Sequence, residues 1–149
     1  MISKILVPTD SSATAIKAVE YASDLAKQIG AHLVLLSVID RSLFVTKSVP
    51  SMAAPTHLVE PVEDYLRESA GDYLEEAERV CKKKGIQSKM VIRSGHPVEE
   101  IIKEAEKSKV DLIVIGSHGR SALKAVLLGS VTFGVIHKDT KIPVLVVKR

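Results

Sequence analysis

The sequence predicts an α/β domain: a single doubly wound sheet of five parallel strands with helices on both faces. Three observations predict it. Short apolar runs alternate with amphipathic stretches of helical period in the order β-α-β-α-β-α-β-α-β, and such alternation builds a parallel sheet through right-handed crossovers. Aromatic residues make up only 3% of the chain and Trp is absent, so the core is drawn from Val, Ile, Leu and Ala, as in strands buried on both faces. Two of the apolar runs end on polar or glycine turns, Thr9-Asp10 and Gly116-Ser117, and ligands meet such sheets beyond the carboxyl ends of strands. With 149 residues, 46% hydrophobic and 26% charged, the chain reads as one domain over 1–149 with a sizeable core.

The elements follow in order. Ile2 to Pro8 is the first strand, apolar at Ile5, Leu6 and Val7 and closed by Pro8. Thr9-Asp10-Ser11-Ser12 carries turn and N-cap chemistry. Ile16, Val19, Ala22, Ala26 and Ile29 then recur on one face of a helix that Gly30 stops. His32 to Ile39 is a near-continuous Leu/Val run, the second strand. Residues 41–61 break the rhythm with Pro50, Pro55 and Pro61 among several Ser and Thr, and are predicted to be a loop insertion. Val62 to Lys84 has the period of a helix, with Leu66, Ala70, Tyr73, Ala77, Val80 and Cys81 inward and Gly85 at its end. Gln87 to Arg93 is the third strand. Ser94-Gly95-His96-Pro97 turns into a helix with Pro97 at its first position, Glu99 and Glu100 at its positive end, and Val98, Ile101, Ile102 and Ala105 on its inner stripe. Val110 to Ile115 is the fourth strand, Ala122 to Leu128 a short helical turn, Ser130 to Lys138 the last helix and Ile142 to Val147 the fifth strand.

Several function classes are excluded on composition. The net charge is +3, but the basic residues are dispersed, and the dense runs Lys82 to Lys84 and Lys138 to Lys141 fall at helix ends, where cations suit the dipole. Aromatics for stacking on bases are few, so no nucleic acid partner is predicted. The lone cysteine, Cys81, shares helical spacing with Leu74 and Ala77 and reads as a small buried hydrophobe. No disulfide can form within the chain, no apolar run approaches 18 residues, and Met1-Ile2-Ser3-Lys4 leads straight into a strand without signal-peptide anatomy. The expected location is therefore cytoplasmic, with no membrane partner. The five histidines, His32, His57, His96, His118 and His137, lack metal-ligand spacing, so no metal site is predicted.

The chemistry-bearing motif is Gly116-Ser117-His118-Gly119, then nine residues, then Gly129-Ser130. Glycines let the backbone approach a ligand closely, and Gly129-Ser130 precedes a helix whose first N–H groups and positive dipole end attract phosphate. The pattern is neither G-x-x-x-x-G-K-[ST] nor G-x-G-x-x-G, which removes a Walker loop and weakens a dinucleotide loop. If the first and fourth strands are neighbours where the strand order reverses, Thr9-Asp10 and the glycine loop face one crevice.

On these segments, with Ile5-Leu6-Val7-Pro8-Thr9-Asp10, Ser94-Gly95-His96-Pro97, Asp111 to Gly119 and Ile142-Pro143-Val144-Leu145-Val146-Val147, the chain resembles the universal stress proteins, and within them the branch with the nucleotide pattern G-2x-G-9x-G-[ST]. The likeness spans all but about 41–61. It implies a Rossmann-like fold of the adenine nucleotide alpha hydrolase type with strand order 3-2-1-4-5, and ATP, with Mg²⁺, as the ligand. It implies that Gly116 and Gly119 admit backbone N–H groups to ribose and phosphate. Ser130, Val131 and Thr132, behind Gly129, then offer N–H groups and hydroxyls to the phosphates, and Ser117, His118 and Arg120 line the loop. Arg120 either bonds phosphate or stays solvated. Pro8 and Thr9 border the nucleoside, and Val38 offers backbone groups to the adenine edge. Asp10 meets ribose hydroxyls or, through water, the Mg²⁺, its other reading being a plain N-cap. The likeness also implies a homodimer through Ile142 to Val147, an apolar edge strand that a symmetric copy would cover.

No nucleophile–base pair accompanies the motif, and the Ser-Gly-Gly loop of adenylating relatives is replaced by Pro8-Thr9-Asp10-Ser11-Ser12. No catalytic residue is assigned. The reading is an ATP-binding regulatory, stress-response module with little or no hydrolysis. The alternatives are a weak ATPase or an enzyme that phosphorylates itself on Ser130 or Thr132, and an interaction protein with a vestigial site and an unidentified protein partner.

Overall fold

The computed structural model describes residues 1–41, 56–119 and 128–149, with residues 56–60 as helix backbone only. Along the chain run β1 (Lys4–Pro8), α1 (Ala13–Ile29), β2 (His32–Asp40), α2 (Thr56–Lys83), β3 (Ser88–Gly95), α3 (Pro97–Lys107), β4 (Leu112–Gly116), α4 (Ser130–His137) and β5 (Val144–Val147). The five strands form one sheet in the order β3-β2-β1-β4-β5, every pair parallel, as predicted. Successive crossovers run outward from β1 in one direction and from β4 in the other, so the order reverses between these two strands.

Strand alternation divides the core into two layers. Ile5, Val7, Leu33, Leu35, Leu112 and Val114 meet Ala18, Val19 and Ala22 of α1 and Leu74, Ala77 and Cys81 of α2. Leu6, Val34, Leu36, Ile113 and Ile115 meet Val98, Ile101 and Ala105 of α3 and Val135 of α4. Burial pushes the Cys81 thiol up from its ordinary pKa, which fits the expected inert hydrophobe. Ser12 caps α1, its Oγ accepting from the Ala15 N–H at 3.1 Å. Among the described residues no helix is long and apolar enough to cross a membrane.

Several boundaries differ from the sequence reading. α2 begins at Thr56, so the last part of the predicted 41–61 loop is helical and Pro61 lies inside the helix. A proline forgoes one backbone bond, and a helix of 28 residues keeps the rest. β2 and β3 extend through each other's pairing: Ser94 pairs with Ile39 and Gly95 with Asp40, carrying both strands past their apolar runs. β5 starts at Val144 rather than Ile142, and before it the Pro143 carbonyl accepts from the Ile113 N–H at 3.0 Å. The predicted turn over Ala122 to Leu128 lies outside the described residues up to 127.

One charged cluster was not anticipated. Arg93 of β3 faces α3, with Nη1 3.1 Å from Glu104 Oε1 and Nε 3.5 Å from Glu100 Oε1. Ser108 Oγ also donates to Glu104, which is only 3% exposed. Burial by itself would raise the Glu104 carboxyl, but the bonds from Ser108 and Arg93 and the Arg93 charge outweigh it and hold the group below the ordinary carboxylate range. Glu100, expected to serve the helix dipole, is buried in this cluster, and Gly95 makes room for it: a Cβ there would lie 2.9 Å from Glu100 Cγ. At the other end of the sheet Asp111 Oδ2 accepts from the N–H groups of Ser3 and Lys4 and from Ser3 Oγ, which lowers its pKa as well.

Both carboxyls bind protons less readily folded than unfolded. Their contribution is therefore complete above their unfolded values of about 4 and is lost as the pH falls through the lower folded values. Urea midpoints taken from neutral pH down to about pH 3 should fall in that window, and less steeply in Asp111→Asn.

α3 and α4 touch through Gly134, where a Cβ would sit 2.6 Å from Val98 Cγ2. Gly134→Ala should cost about 2 kcal/mol by urea unfolding. Adding Val98→Ala should cost less in that background than in the parent chain, because the two share one contact.

Candidate functional site

The site is built at the carboxyl ends of β1 and β4, on either side of the strand-order reversal. β1 ends at Pro8, paired with Leu36, and the Thr9 N–H continues the ladder to the Leu36 carbonyl at 2.8 Å. The chain then turns through Asp10, whose Oδ1 accepts from the Ser12 N–H at 3.0 Å, and Ser11, with φ 64. Ser12, not Asp10, is the cap of α1, so the plain N-cap reading of Asp10 does not hold. Thr9 is 5% exposed, and among the described residues its Oγ1 has no hydrogen-bond partner. A buried hydroxyl without a partner is costly, and it marks a place where a ligand atom or water would restore the bond.

Opposite stands the glycine loop. Gly116 is the last residue of β4, and a Cβ on it would lie 2.9 Å from the Thr14 carbonyl carbon and oxygen. Its smallness thus serves the close approach of α1 to the strand end. Ser117 and His118 are buried as well. The Ser117 N–H donates to the Val147 carbonyl at 2.8 Å, Ser117 Oγ and His118 Nδ1 are 2.7 Å apart, and His118 Nε2 lies 3.3 Å from Arg149 Nη2. These two residues tie the loop to the end of β5. Gly119 is exposed and faces across the crevice, where a Cβ would lie 3.0 Å from Asp10 Oδ2.

The second half of the motif packs behind the first. The Gly129 N–H donates to the Ser117 carbonyl at 2.7 Å, and a Cβ on Gly129 would sit 3.3 Å from His118 Cα and 3.4 Å from Gly119 N. Gly129 caps α4 without any side-chain bond, and the Phe133 N–H is the first to bond back, to the Gly129 carbonyl at 2.9 Å. The N–H groups of Ser130, Val131 and Thr132 therefore have no intrahelical acceptor. Thr132 is buried, and its Oγ1 donates to the Gly116 carbonyl at 2.7 Å, so this hydroxyl holds β4 to α4 instead of facing a phosphate. Ser130 is exposed.

Val38 lies on β2 two residues beyond Leu36, the last position paired with β1, so by strand alternation its N–H and C=O turn to the same side, past the end of β1. The structure thus gathers Thr9, Asp10, Gly119 and the start of α4, with Val38 at the margin and Gly116, Ser117, His118 and Thr132 as the frame. Arg120 lies outside the described residues. Among those described, no three His, Cys, Asp or Glu side chains converge as metal ligands.

Comparison with known proteins agrees with this geometry. The profile of the Universal stress protein family matches residues 1–148. Universal stress protein MJ0577 of Methanocaldococcus jannaschii is 40% identical, covering 100% of this chain and 96% of its own. Universal stress protein YxiE of Bacillus subtilis is 34% identical over 99% of this chain and 100% of its own. The solved structure of MJ0577 superposes with a TM-score of 0.86 at 38% identity, covering 100% of this chain and 97% of that one. A universal stress protein solved in complex with cAMP superposes with a TM-score of 0.72 at 27% identity, covering 98% and 97%. With the family profile spanning residues 1–148 and relatives of 40% and 34% identity covering the chain end to end, this protein belongs to the universal stress protein family.

Proposed function

We propose that the chain binds ATP in the crevice between Thr9-Asp10 and Gly119 and acts as a nucleotide-dependent regulatory module with little or no hydrolysis. The observation that carries this reading is the uncapped start of α4 packed directly behind Gly119, across from Asp10. Backbone donors without acceptors, a positive helix end and a residue without a side chain suit a phosphate chain. The unpartnered Thr9 hydroxyl fits a polar ligand at the same place. The relative solved with cAMP supports an adenine nucleotide as the class.

In this arrangement the N–H groups of Ser130, Val131 and Thr132 would take the phosphates, with Arg120, which follows Gly119 in the sequence, as a further cation for them. Thr9 and Pro8 would border the nucleoside, and Val38 would face the adenine edge. Mg²⁺ would enter with the phosphates, Asp10 being the carboxylate that faces them; bound there, it would neutralise phosphate charge. The hydroxyl–imidazole contact on the loop, Ser117 Oγ with His118 Nδ1, is buried in the frame that ties the loop to β5, so the crevice is better suited to holding ATP than to cleaving it. The self-phosphorylation alternative narrows to Ser130, because the Thr132 hydroxyl is engaged.

The output would pass to a second copy. β5 is a sheet edge whose Val144, Leu145, Val146 and Val147 are half-buried in one chain, and Phe133 and Ile136 of α4 are exposed. A homodimer through β5 would cover the strand, and the hydrogen bond from Ser117 to Val147 would connect loop to interface. Mass spectrometry of ligand released from the purified protein, with calorimetric titration of ATP and Mg²⁺, tests the reading. An adenine nucleotide or saturable ATP binding is expected; neither being found would overturn it.

A further inference from the structure

A groove of about 870 Å³ opens at the amino ends of β1, β2 and β3, at the opposite end of the sheet from the ATP crevice. Lys4 of β1, Lys89 of β3, and Lys107 and Lys109 at the end of α3 line it. Glu104 is the one carboxylate there, and it is already held by Arg93 and Ser108. Lys4 Nζ donates to the Ser108 carbonyl at 2.8 Å, which satisfies the carboxyl end of α3. Lys89, Lys107 and Lys109 are exposed and make no ion pair among the described residues. Val34, which is buried, and Val91, which is half-buried, give the groove an apolar part.

Ordinary structural roles do not account for this set. Cations near a helix end suit its dipole, but Lys89 comes from a different element. A lysine on an edge strand discourages sheet pairing, but that role needs no apolar floor beside it. Lys109 is the sharper case. α1 and α2 are each followed by a glycine in the left-handed conformation, Gly30 with φ 74 and Gly85 with φ 72. α3 is followed by Lys109 with φ 54, where a side chain is disfavoured and glycine is the common solution. The chain keeps a cation where the backbone favours none.

We propose that this groove is a second binding site, for a small organic anion: a compact apolar body bearing a doubly charged group such as a phosphate monoester. The volume lies within the range of small-molecule pockets, the three lysines would meet the anionic group, and Val91, with the buried Val34 behind it, would meet the apolar body. The site is independent of the ATP crevice and does not rest on it.

The test is calorimetric titration of 1-naphthyl phosphate into the full chain, into Lys89→Glu/Lys107→Glu and into Gly119→Val. Both lysines are exposed, so the double variant should fold, with a somewhat lower urea midpoint because the Lys107 charge favours the ionised Glu104. Saturable binding to the parent chain is expected, weakened by added salt, reduced at least about tenfold in the double variant and unchanged in Gly119→Val. Absence of saturable binding to the parent chain, or equal affinity in the double variant, would overturn the proposal. So would loss of binding in Gly119→Val, which would place the probe in the nucleotide crevice.

Discussion

Gly119→Val should weaken ATP binding about thirtyfold while leaving the urea midpoint close to that of the parent chain. A Cβ on Gly119 would already stand 3.0 Å from Asp10 Oδ2, and valine would fill the remaining gap between the walls. Phosphate would be pushed off the free N–H groups of α4, and losing one or two charge-assisted bonds costs about 2 kcal/mol, or roughly thirtyfold. Stability should be largely spared because Gly119 is exposed and its one close neighbour among the described residues is a carboxylate oxygen rather than backbone. Gly116→Ala is the contrast. Its Cβ would meet the backbone of Thr14, which cannot yield without moving α1, so binding and stability should fall together. Calorimetry with ATP and urea unfolding on both variants separate ligand approach from packing. Unchanged ATP affinity in Gly119→Val would remove the crevice as the site.

Arg93→Ala should destabilise the fold by about 3 kcal/mol at neutral pH, because it leaves Glu104 of α3 buried over β3 without its close cation and Glu100 with only the exposed Lys103 at 3.6 Å. The sign of the pH dependence tests the cause. In the parent chain the Glu104 carboxyl sits below its unfolded value, so its contribution is lost as the pH falls. Without Arg93, burial works against only Ser108 and the more distant Lys107 charge, the folded pKa rises, and acidification should relieve part of the destabilisation. Urea midpoints of Arg93→Ala that fall on acidification as steeply as the parent's would exclude this account.

The sheet was legible because its signals are local and redundant. Ile5-Leu6-Val7 and Leu112 to Ile115 are apolar at successive positions because those strands are covered on both faces, and the small residues of α1 repeat at helical spacing because one face lies on them. Boundaries were less legible, since Ser94-Gly95 and Pro61 have the chemistry of turns and become regular only through the strand paired with them or the helix running through them. The cluster of Arg93 with Glu100 and Glu104 escaped notice because each is an ordinary surface residue by type. Burial follows from the packing of α3 over β3, which no spacing in the sequence encodes.

At the site the division is the same. The sequence by itself determined that a glycine loop at a strand end precedes a helix start, and that Thr9 and Asp10 follow another strand, because glycine freedom and helix-end electrostatics are properties of short segments. Only the tertiary structure decided which glycine serves what. Gly116 is spent on α1 and Gly129 on the loop itself, leaving Gly119 to face Asp10, and the Thr132 hydroxyl is consumed by the Gly116 carbonyl. The physical reason is that close approach is a relation between elements far apart in the chain. A motif records that a side chain is missing, and the fold alone shows what occupies the space.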